Sequence, residues 1–321
     1  ARAVVNATGV WVDALRQAAL ASKGEAVSPI VRASQGIHLV VSRSRLPIDD
    51  AILVPRTADG RVLFAVPWLG STVVGTTDTP RNDAPAEPRP FKEEVTFLLA
   101  QAQHALGVTL RPEDVRSVWA GLRPLVSPPS QAKAATSSLS REHVVLRDTA
   151  GLFTVTGGKW TTYRSMAEEV LERMQSAGDI SPPPAGPCDT REHRLVGAPA
   201  ADVKPVSLSA APGPHLWGTE AAMLQTLPGA RRVLGAGLTE AMVRFAAREE
   251  WAVTVEDMLA RRWRLLFLDA REAARLAPRV APLLREESCI DPRLDEFLAL
   301  CEQYLLPSEW VFEQLLEEVP S

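Results

Sequence analysis

Apolar and polar positions at the start of the chain follow the order strand, turn, helix. Residues 3–5 are an apolar strand, residues 6–9 read Asn-Ala-Thr-Gly, and apolar residues then recur at helical spacing up to Leu20. The same order returns at residues 152–174, where the turn reads Gly-Gly-Lys. Because ligands of doubly wound sheets bind beyond the carboxyl ends of strands, both turns are candidate binding sites. The alternative for the first is a plain strand-to-helix turn.

Between these two units the period shortens to that of strands. The strand candidates are Gly36–Val41, Ala51–Val54, Val62–Val66, Thr72–Gly75, Val115–Ala120, Val144–Arg147 and Leu152–Val155. Turn signals such as Asp59-Gly60 separate the first four, and Phe91–Leu106 carries the spaced apolar stripe of an amphipathic helix. The pattern predicts an antiparallel sheet and one long helix in this part of the chain.

The last third of the chain is rich in helix formers. Prolines at 182–184 and 187 cannot continue a helix or a central strand, so a linker is expected at 179–214, between a first domain at 1–178 and an all-helical domain at 215–321. The predicted helices are Glu220–Leu227, Thr239–Glu249, Thr254–Leu268, Ala270–Leu284, Arg293–Leu305 and Ser308–Glu317. Thr254-x-x-Asp257 fits a helix start, and the tryptophans of this region, Trp251, Trp263 and Trp310, are expected in its core.

Composition and charge exclude several classes of protein. Hydrophobic residues make up 46% of the 321 positions, which excludes a disordered chain. A net charge of −4 gives no field that attracts nucleic acid, so an anionic ligand must be held by a few placed cations. No run reaches the roughly 18 apolar residues of a membrane span. The histidines and cysteines lack metal-ligand spacing, so no metal site is expected, and the three cysteines favour a reducing compartment.

Several charged residues are candidates for chemistry, each with a structural alternative. The Gly157-Gly158-Lys159 turn suits a phosphate or the negative edge of a reduced flavin, because a helix N-terminus and an ammonium both favour anions; a turn with a solvated lysine is the alternative. Arg123 lies between apolar residues and ahead of a proline, which indicates a buried position. A buried arginine needs a fixed anionic partner, which is either a protein carboxylate or a ligand phosphate. Arg141 taken alone is typical of a surface residue.

His38 lies in a strand candidate, where alternation places it on the face opposite Ile37 and Leu39. It is therefore either a structural histidine or a base. An imidazole has a reference pKa near 6.5, which suits a group that accepts a proton near neutral pH.

Together these segments resemble the FAD-dependent glycerol-3-phosphate dehydrogenase family. The segments that carry the resemblance are Asn6–Val12, Gly75–Asp78, Gly121–Leu125 and Gly157–Arg164, with Arg248–Val253 and Ala260–Arg264 similar to the family's C-terminal domain. The resemblance implies an α/β plus all-α fold: the remnant of an FAD-binding Rossmann-like unit with an antiparallel β-sheet substrate domain, followed by a C-terminal helical domain. The family's glycine-rich turn for the FAD pyrophosphate is not found and the chain begins without Met, so a truncated and inactive chain is expected. It is expected to be colourless, or weakly yellow only with added FAD.

In that family FAD takes hydride from C2 of sn-glycerol 3-phosphate, yields dihydroxyacetone phosphate, and electrons pass to a membrane quinone. The resemblance implies that the flavin contacts Thr8, Gly9, Gly157, Gly158, Thr161 and Thr162. It also implies that the substrate faces His38, Arg123, Arg141 and Lys159. The two arginines would hold the phosphate, and His38 and Lys159 would be catalytic.

The resemblance also implies the partners and the cellular location. A quinone acceptor and peripheral association with the cytoplasmic face of the inner membrane are expected; a homo-oligomer is compatible with the sequence, and no nucleic acid is expected. Two other functions stay open: a related flavin oxidase that acts on an amine or an amino acid, and a non-catalytic interaction module.

Overall fold

The computed structural model describes residues 3–21, 23–55, 57, 62–127, 142–181 and 186–310. The chain divides into two compact units, and neither is continuous in sequence. The first unit comprises Ala1–Gly36, Asp78–Pro88 and Gly121–Arg194, and the second comprises Ile37–Thr77, Arg89–Ala120 and Leu195–Ser321. The expected linker at 179–214 is thus shared between the units, with the division after Arg194.

The described residues form eleven strands and seven α-helices. The strands are β1 (Val5–Asn6), β2 (Val31–Ser42), β3 (Ile52–Val54), β4 (Leu63–Trp68), β5 (Ser71–Gly75), β6 (Thr79–Arg81), β7 (Val115–Val126), β8 (Val144–Arg147), β9 (Phe153–Thr156), β10 (Val233–Gly235) and β11 (Leu238–Thr239). The helices are α1 (Val12–Ala21), α2 (Lys92–Leu106), α3 (Tyr163–Ser176), α4 (Glu240–Glu249), α5 (Leu265–Leu268), α6 (Ala270–Ser288) and α7 (Leu294–Gln303).

The first unit contains the two predicted strand-turn-helix segments. β1 and β9 pair in parallel, and β8 pairs with β9 antiparallel, which gives the order β1-β9-β8. α1 follows β1, and α3 follows β9. A small apolar core at Val145, Phe153, Val170 and Met174 holds α3 against this sheet. Because the strands are parallel, the turns after β1 and β9 lie at the same edge of the sheet.

The second unit contains the predicted antiparallel sheet. β3, β4, β5 and residues 38–42 of β2 pair in that order, with Phe64 of β4 opposite Gly75 of β5, and Gly75 opposite His38 of β2. One face of this sheet is buried against α2 through a core that includes Ile37, Leu39, Val95 and Leu98. His38 is half-buried and points to the other face, as the alternation predicts.

β7 is longer than predicted. The strand was expected to end at Ala120, before a glycine and a proline, but it continues to Val126. Arg123 therefore lies inside a strand and not at its end. Pro124 is tolerated because, among the described strands, β7 pairs only with β2 and is therefore an edge strand, where a proline N can face away from the ladder.

The helical part of the second unit differs from the prediction in four places. The helix expected at 220–227 lies in a 3₁₀ segment, Pro214–Thr226, that is interrupted at Gly218. A two-stranded ladder, β10–β11, lies between the helices, so this part is not entirely helical. The single helix expected at 254–268 is a π-helical segment, Asp257–Arg262, followed by the short α5, because Arg264 adopts the left-handed conformation with φ of +61°. Trp251 is 84% exposed, so the prediction of a core position for it is wrong, whereas Trp263 is fully buried.

The helical core is apolar with one buried ion-pair network. Trp217, Phe245 and Trp263 are among its large buried side chains. Arg244, which is 8% exposed, pairs with Glu286 at 2.8 Å and with Glu287 at 2.5 Å, and Glu287 also accepts a hydrogen bond from Arg248. In the part of the chain that the structure describes, no helix is long and apolar enough to cross a bilayer.

Candidate active site

The turn after β1 is organised by Asn6, which is fully buried. Its side-chain amide donates to the carbonyl oxygen of Val12 at 2.9 Å and to Oγ1 of Thr154 at 3.3 Å, and its Oδ1 accepts from the Thr8 hydroxyl at 2.7 Å. Asn6 therefore joins β1, β9 and α1. Asn6 was predicted only as part of a motif; the signal was a polar residue at the end of an apolar strand, although Val4 and Val5 of that strand are exposed and not buried.

Gly9 is needed for its backbone conformation. Its φ is +62°, and a Cβ placed on it would meet nothing within 4 Å. The left-handed conformation, and not crowding, is what favours glycine there. The predicted roles of Thr8 and Gly9 toward a flavin stay predictions.

The turn after β9 requires glycine for two reasons. Gly157 and Gly158 have φ of +79° and +75°, and a Cβ on Gly157 would lie 2.6 Å from the carbonyl oxygen of Glu142. A Cβ on Gly158 would lie 2.6 Å from Sδ of Met166. The chain continues through Lys159 into a 3₁₀ turn at Trp160–Thr162 and then α3.

Within the first unit these turns border a cavity of about 840 Å³. Its lining includes Ala7 from the first turn, Gly157, Gly158 and Lys159 from the second, and Arg123 from β7. The described lining is mainly apolar, with two cations and no carboxylate. Such a cavity has the size of a ligand site, and its charge favours an anion.

Lys159 is available for a ligand. The side chain is exposed at the cavity, and no carboxylate among the described residues forms an ion pair with it. The hydroxyl of Thr162 donates to the carbonyl oxygen of Lys159 at 2.9 Å and so fixes the backbone at this position.

Arg123 lies in the space that Gly36 leaves open. A Cβ on Gly36 would be 2.1 Å from Nη2 and 2.5 Å from both Cζ and Nη1 of Arg123. The guanidinium therefore packs directly on the backbone of β2. Nothing in the local sequence around either residue indicates this contact.

His38 belongs to the second unit and lies among rings. Its imidazole stacks on Trp119 with ring centroids 4.2 Å apart and 23° between planes, and lies 5.6 Å from the Phe64 ring. A Cβ on Gly75 would be 2.4 Å from Cδ2 of His38, so the imidazole covers that glycine.

The structure thus brings four predicted residues together at one cavity: Arg123, Gly157, Gly158 and Lys159. Thr161 and Thr162 lie in the adjoining 3₁₀ turn. Arg141 lies outside the described residues. His38 lies in the other unit, and its role stays a prediction.

A hydrogen-bonded pair of side chains beside the second turn was missed. Nε2 of His143 lies 2.7 Å from Oε2 of Glu169, and Cβ of His143 is 3.1 Å from the Cβ position of Gly158. The hydrogen bond from His143, and then that from Arg173, holds the pKa of Glu169 below its usual range. Only the helical spacing of Glu169 and Arg173 could have indicated part of this arrangement.

The residues present fit a flavin. Two left-handed glycines leave a backbone without side chains beside an apolar cavity, and Lys159 supplies a positive charge suited to the negative edge of a reduced isoalloxazine. The parallel β1–β9 pair places both turns at the sheet edge where nucleotide cofactors bind.

Comparison with known proteins gives the same interpretation. The model for the FAD dependent oxidoreductase family matches residues 1–171, and the model for the C-terminal domain of alpha-glycerophosphate oxidase matches residues 188–293. The mitochondrial glycerol-3-phosphate dehydrogenase of Arabidopsis thaliana is 36% identical over 89% of this chain and 49% of its own length. The human mitochondrial enzyme is 35% identical over 95% of this chain and 44% of its own length.

A solved structure has the same fold. The glycerol-3-phosphate dehydrogenase of Bacillus halodurans, complexed with FAD, superposes with a TM-score of 0.72 and 25% identity over 96% of this chain and 64% of that one. The chain spans about half the length of the curated relatives named above. The expected resemblance and the α/β plus helical fold are confirmed, and the chain belongs to the family of FAD-dependent oxidoreductases.

Proposed function

We propose that this chain is the substrate-side and C-terminal part of an enzyme that oxidises sn-glycerol 3-phosphate to dihydroxyacetone phosphate with FAD. The observation that carries the proposal is the cavity where Arg123 and Lys159 line the same apolar space as the Gly157-Gly158 turn. A phosphate ester of a small polyol needs such cations beside a flavin. The named relatives support this substrate.

Arg123 holds the substrate phosphate in this proposal. A guanidinium stays charged at all physiological pH values and presents a planar fork that matches phosphate oxygens. Each charge-assisted hydrogen bond contributes about 1.5–3 kcal/mol, which is enough to distinguish glycerol phosphate from glycerol. Arg141 is proposed as the second phosphate ligand on the resemblance alone.

His38 and Lys159 act on the secondary hydroxyl. His38 accepts the O2 proton while hydride leaves C2, so that the C–O single bond becomes a carbonyl and two electrons leave the substrate. Lys159 stabilises the negative charge that develops on O2 or on the flavin edge. Both roles rest on the chemistry of the side chains.

Six residues are proposed to hold FAD: Thr8, Gly9, Gly157, Gly158, Thr161 and Thr162. The left-handed conformations of the three glycines support this role, because they expose backbone N–H groups without a Cβ in the way. When bound, FAD supplies a two-electron acceptor for the hydride.

Electrons are proposed to pass from the flavin to a quinone, in a protein that associates peripherally with a membrane. Relatives with mitochondrial names support a respiratory setting. The cytoplasmic face of the inner membrane stays the proposed location.

The test is reduction of an artificial electron acceptor by the FAD-loaded full-length protein. Glycerol 3-phosphate should support turnover, whereas glycerol and a panel of amino acids and amines should not. Turnover with an amine or amino acid alone would favour the oxidase alternative. Binding of FAD without turnover on any of these compounds would favour a non-catalytic module.

A further inference from the structure

His38 lies in a row of three residues that crosses three strands of the second unit. Phe64, Gly75 and His38 are opposite one another on β4, β5 and β2. Because the middle residue lacks a side chain, the imidazole reaches over Gly75 to within 5.6 Å of the Phe64 ring. A side chain at Gly75 would displace it.

Trp119 lies against this imidazole. Its indole stacks on His38 at 4.2 Å. The indole Nε1 is buried and makes no hydrogen bond to any residue that the structure describes. The indole is therefore held in place by ring contacts and packing and not by a polar anchor of its own.

Those ring contacts come from the helical part of the same unit. Phe267, at the end of α5, meets the Trp119 ring edge-on, with centroids 5.7 Å apart and 84° between planes. Tyr304, just after α7, meets Phe267 in the same way at 5.6 Å. The four rings form a continuous series from the helical core to His38.

Hydrogen bonds fix β7 to the same helical segments. The Ser117 hydroxyl donates to the carbonyl oxygen of Leu266 at 2.9 Å, and this bond is buried. The backbone N–H of Val118 donates to the carbonyl oxygen of Tyr304 at 2.8 Å. Trp119, the next residue, is thus held on a strand whose position the helical part sets.

We propose that Trp119 and Phe267 are positioning residues for His38, and that the helical part of the chain contributes to the reaction through them. The proposal rests on the proposed function, in which His38 accepts the hydroxyl proton. Proton transfer requires hydrogen-bond geometry, so a ring displaced by about 1 Å loses rate steeply. Tyr304 contributes only by supporting Phe267.

The first test needs neither flavin nor substrate. Nuclear magnetic resonance of the five histidines resolves His38 once a His38→Gln variant has assigned its signal. Stacking on an indole shifts the imidazole protons upfield. Trp119→Leu should abolish this shift, Phe267→Leu should reduce it, and Phe267→Tyr, which keeps the ring, should restore it.

Phe245→Leu is the matched control. Phe245 lies in the same helical core and is 1% exposed, but its ring contact is with Trp217 and not with Trp119. This variant should lower the melting temperature at least as much as Phe267→Leu and leave the His38 signal unchanged. The control therefore distinguishes the effect of destabilising the helical core from the effect of losing the ring contact with Trp119.

The second test is kinetic, in the FAD-loaded full-length protein with glycerol 3-phosphate. Phe267→Leu should lower kcat about tenfold with KM within about twofold of the parent, because orientation and not binding is lost. Phe267→Tyr should recover most of the rate. Phe245→Leu should leave kcat unchanged below its melting temperature.

The outcomes separate this inference from the proposed function. If His38→Gln abolishes turnover but Phe267→Leu moves neither the histidine signal nor kcat, the positioning role is wrong and the proposed function stands. If the signals move as expected but no variant alters turnover, including His38→Gln, then His38 is not the base and the proposed role of Phe267 in the reaction fails with it.

Discussion

Substituting Gly36 by alanine should displace Arg123 from its place in the site. The new methyl group would lie 2.1 Å from Nη2 and 2.5 Å from Cζ and Nη1 of Arg123, whereas ordinary contacts begin near 3.4 Å. The guanidinium must therefore retreat by roughly 1 Å or adopt another rotamer. Gly36 lies in β2 with no left-handed φ, so alanine causes no backbone strain there.

The expected effect is on substrate affinity. If Arg123 loses one charge-assisted hydrogen bond to the phosphate, about 1.5–3 kcal/mol of binding is lost, which corresponds to a rise in KM of roughly 10- to 150-fold. The effect on kcat should be smaller, because the phosphate takes no part in the bonds that break and form at C2 and O2. The assay is steady-state reduction of an artificial acceptor over a range of glycerol 3-phosphate concentrations.

Gly121→Ala is the matched control for this substitution. Gly121 lies two residues before Arg123 in β7, and a Cβ on it would meet nothing within 4 Å. It should leave KM unchanged. An Arg123→Ala background provides the second control, since Gly36→Ala should add little once the guanidinium is gone. An unchanged KM in Gly36→Ala, or an equal effect in both backgrounds, would refute the reasoning.

Three further outcomes are expected. Lys159→Met should lower turnover at least about tenfold by removing the charge that stabilises the developing oxyanion, and a normal rate with a normal flavin potential would exclude that role. Glu287→Gln should lower the free energy of unfolding in urea by about 2–3 kcal/mol at pH 7. Hydrogen bonds from Arg248 and then Arg244 hold the pKa of Glu287 below its usual range against the opposing effect of burial. The parent's advantage should therefore be complete at neutral pH and fade below about pH 4 as the carboxylate is protonated; an advantage that does not diminish as the pH falls would contradict this. Burial raises the pKa of Cys301 to about 12. A thiol reagent at pH 8 should therefore label only the two exposed cysteines of the folded protein. Rapid labelling of all three would show that the core opens readily.

Elements with a complete local signal were predictable. α2 was expected at 91–106 and lies at Lys92–Leu106, because its apolar stripe and the Gly107 cap both lie within the segment. The Thr254-x-x-Asp257 box is confirmed: Oδ2 of Asp257 accepts from the Thr254 N–H at 2.8 Å, and the Asp257 N–H donates to the Thr254 hydroxyl at 3.0 Å.

Elements that depend on distant partners were not predictable. The helix breaks at Arg264 because this residue adopts a left-handed conformation. No glycine or proline lies there to predict the break from the sequence. The extension of β7 through Pro124 depends on pairing with β2, far away in the sequence. Trp251, with φ of +60°, lies on the surface although the apolar residues Ala252 and Val253 follow it.

In the candidate site, too, the functional residues could be recognised in the sequence but the distant contacts that hold them could not. Arg123 and His38 could be singled out by residue type, but what seats each of them is a glycine on another strand: Gly36 for the guanidinium, and Gly75 for the imidazole. A glycine in a strand adds nothing to the pattern of apolar and polar side chains. It weakens the strand, but the sequence does not indicate which distant side chain fills the space of the missing Cβ. At both places the missing Cβ is the feature that admits the functional group. A cation or a base at these positions is therefore useful only together with its glycine. Replacing either glycine should impair the same step as replacing the residue that it holds, but less severely, because the functional group is displaced and not removed.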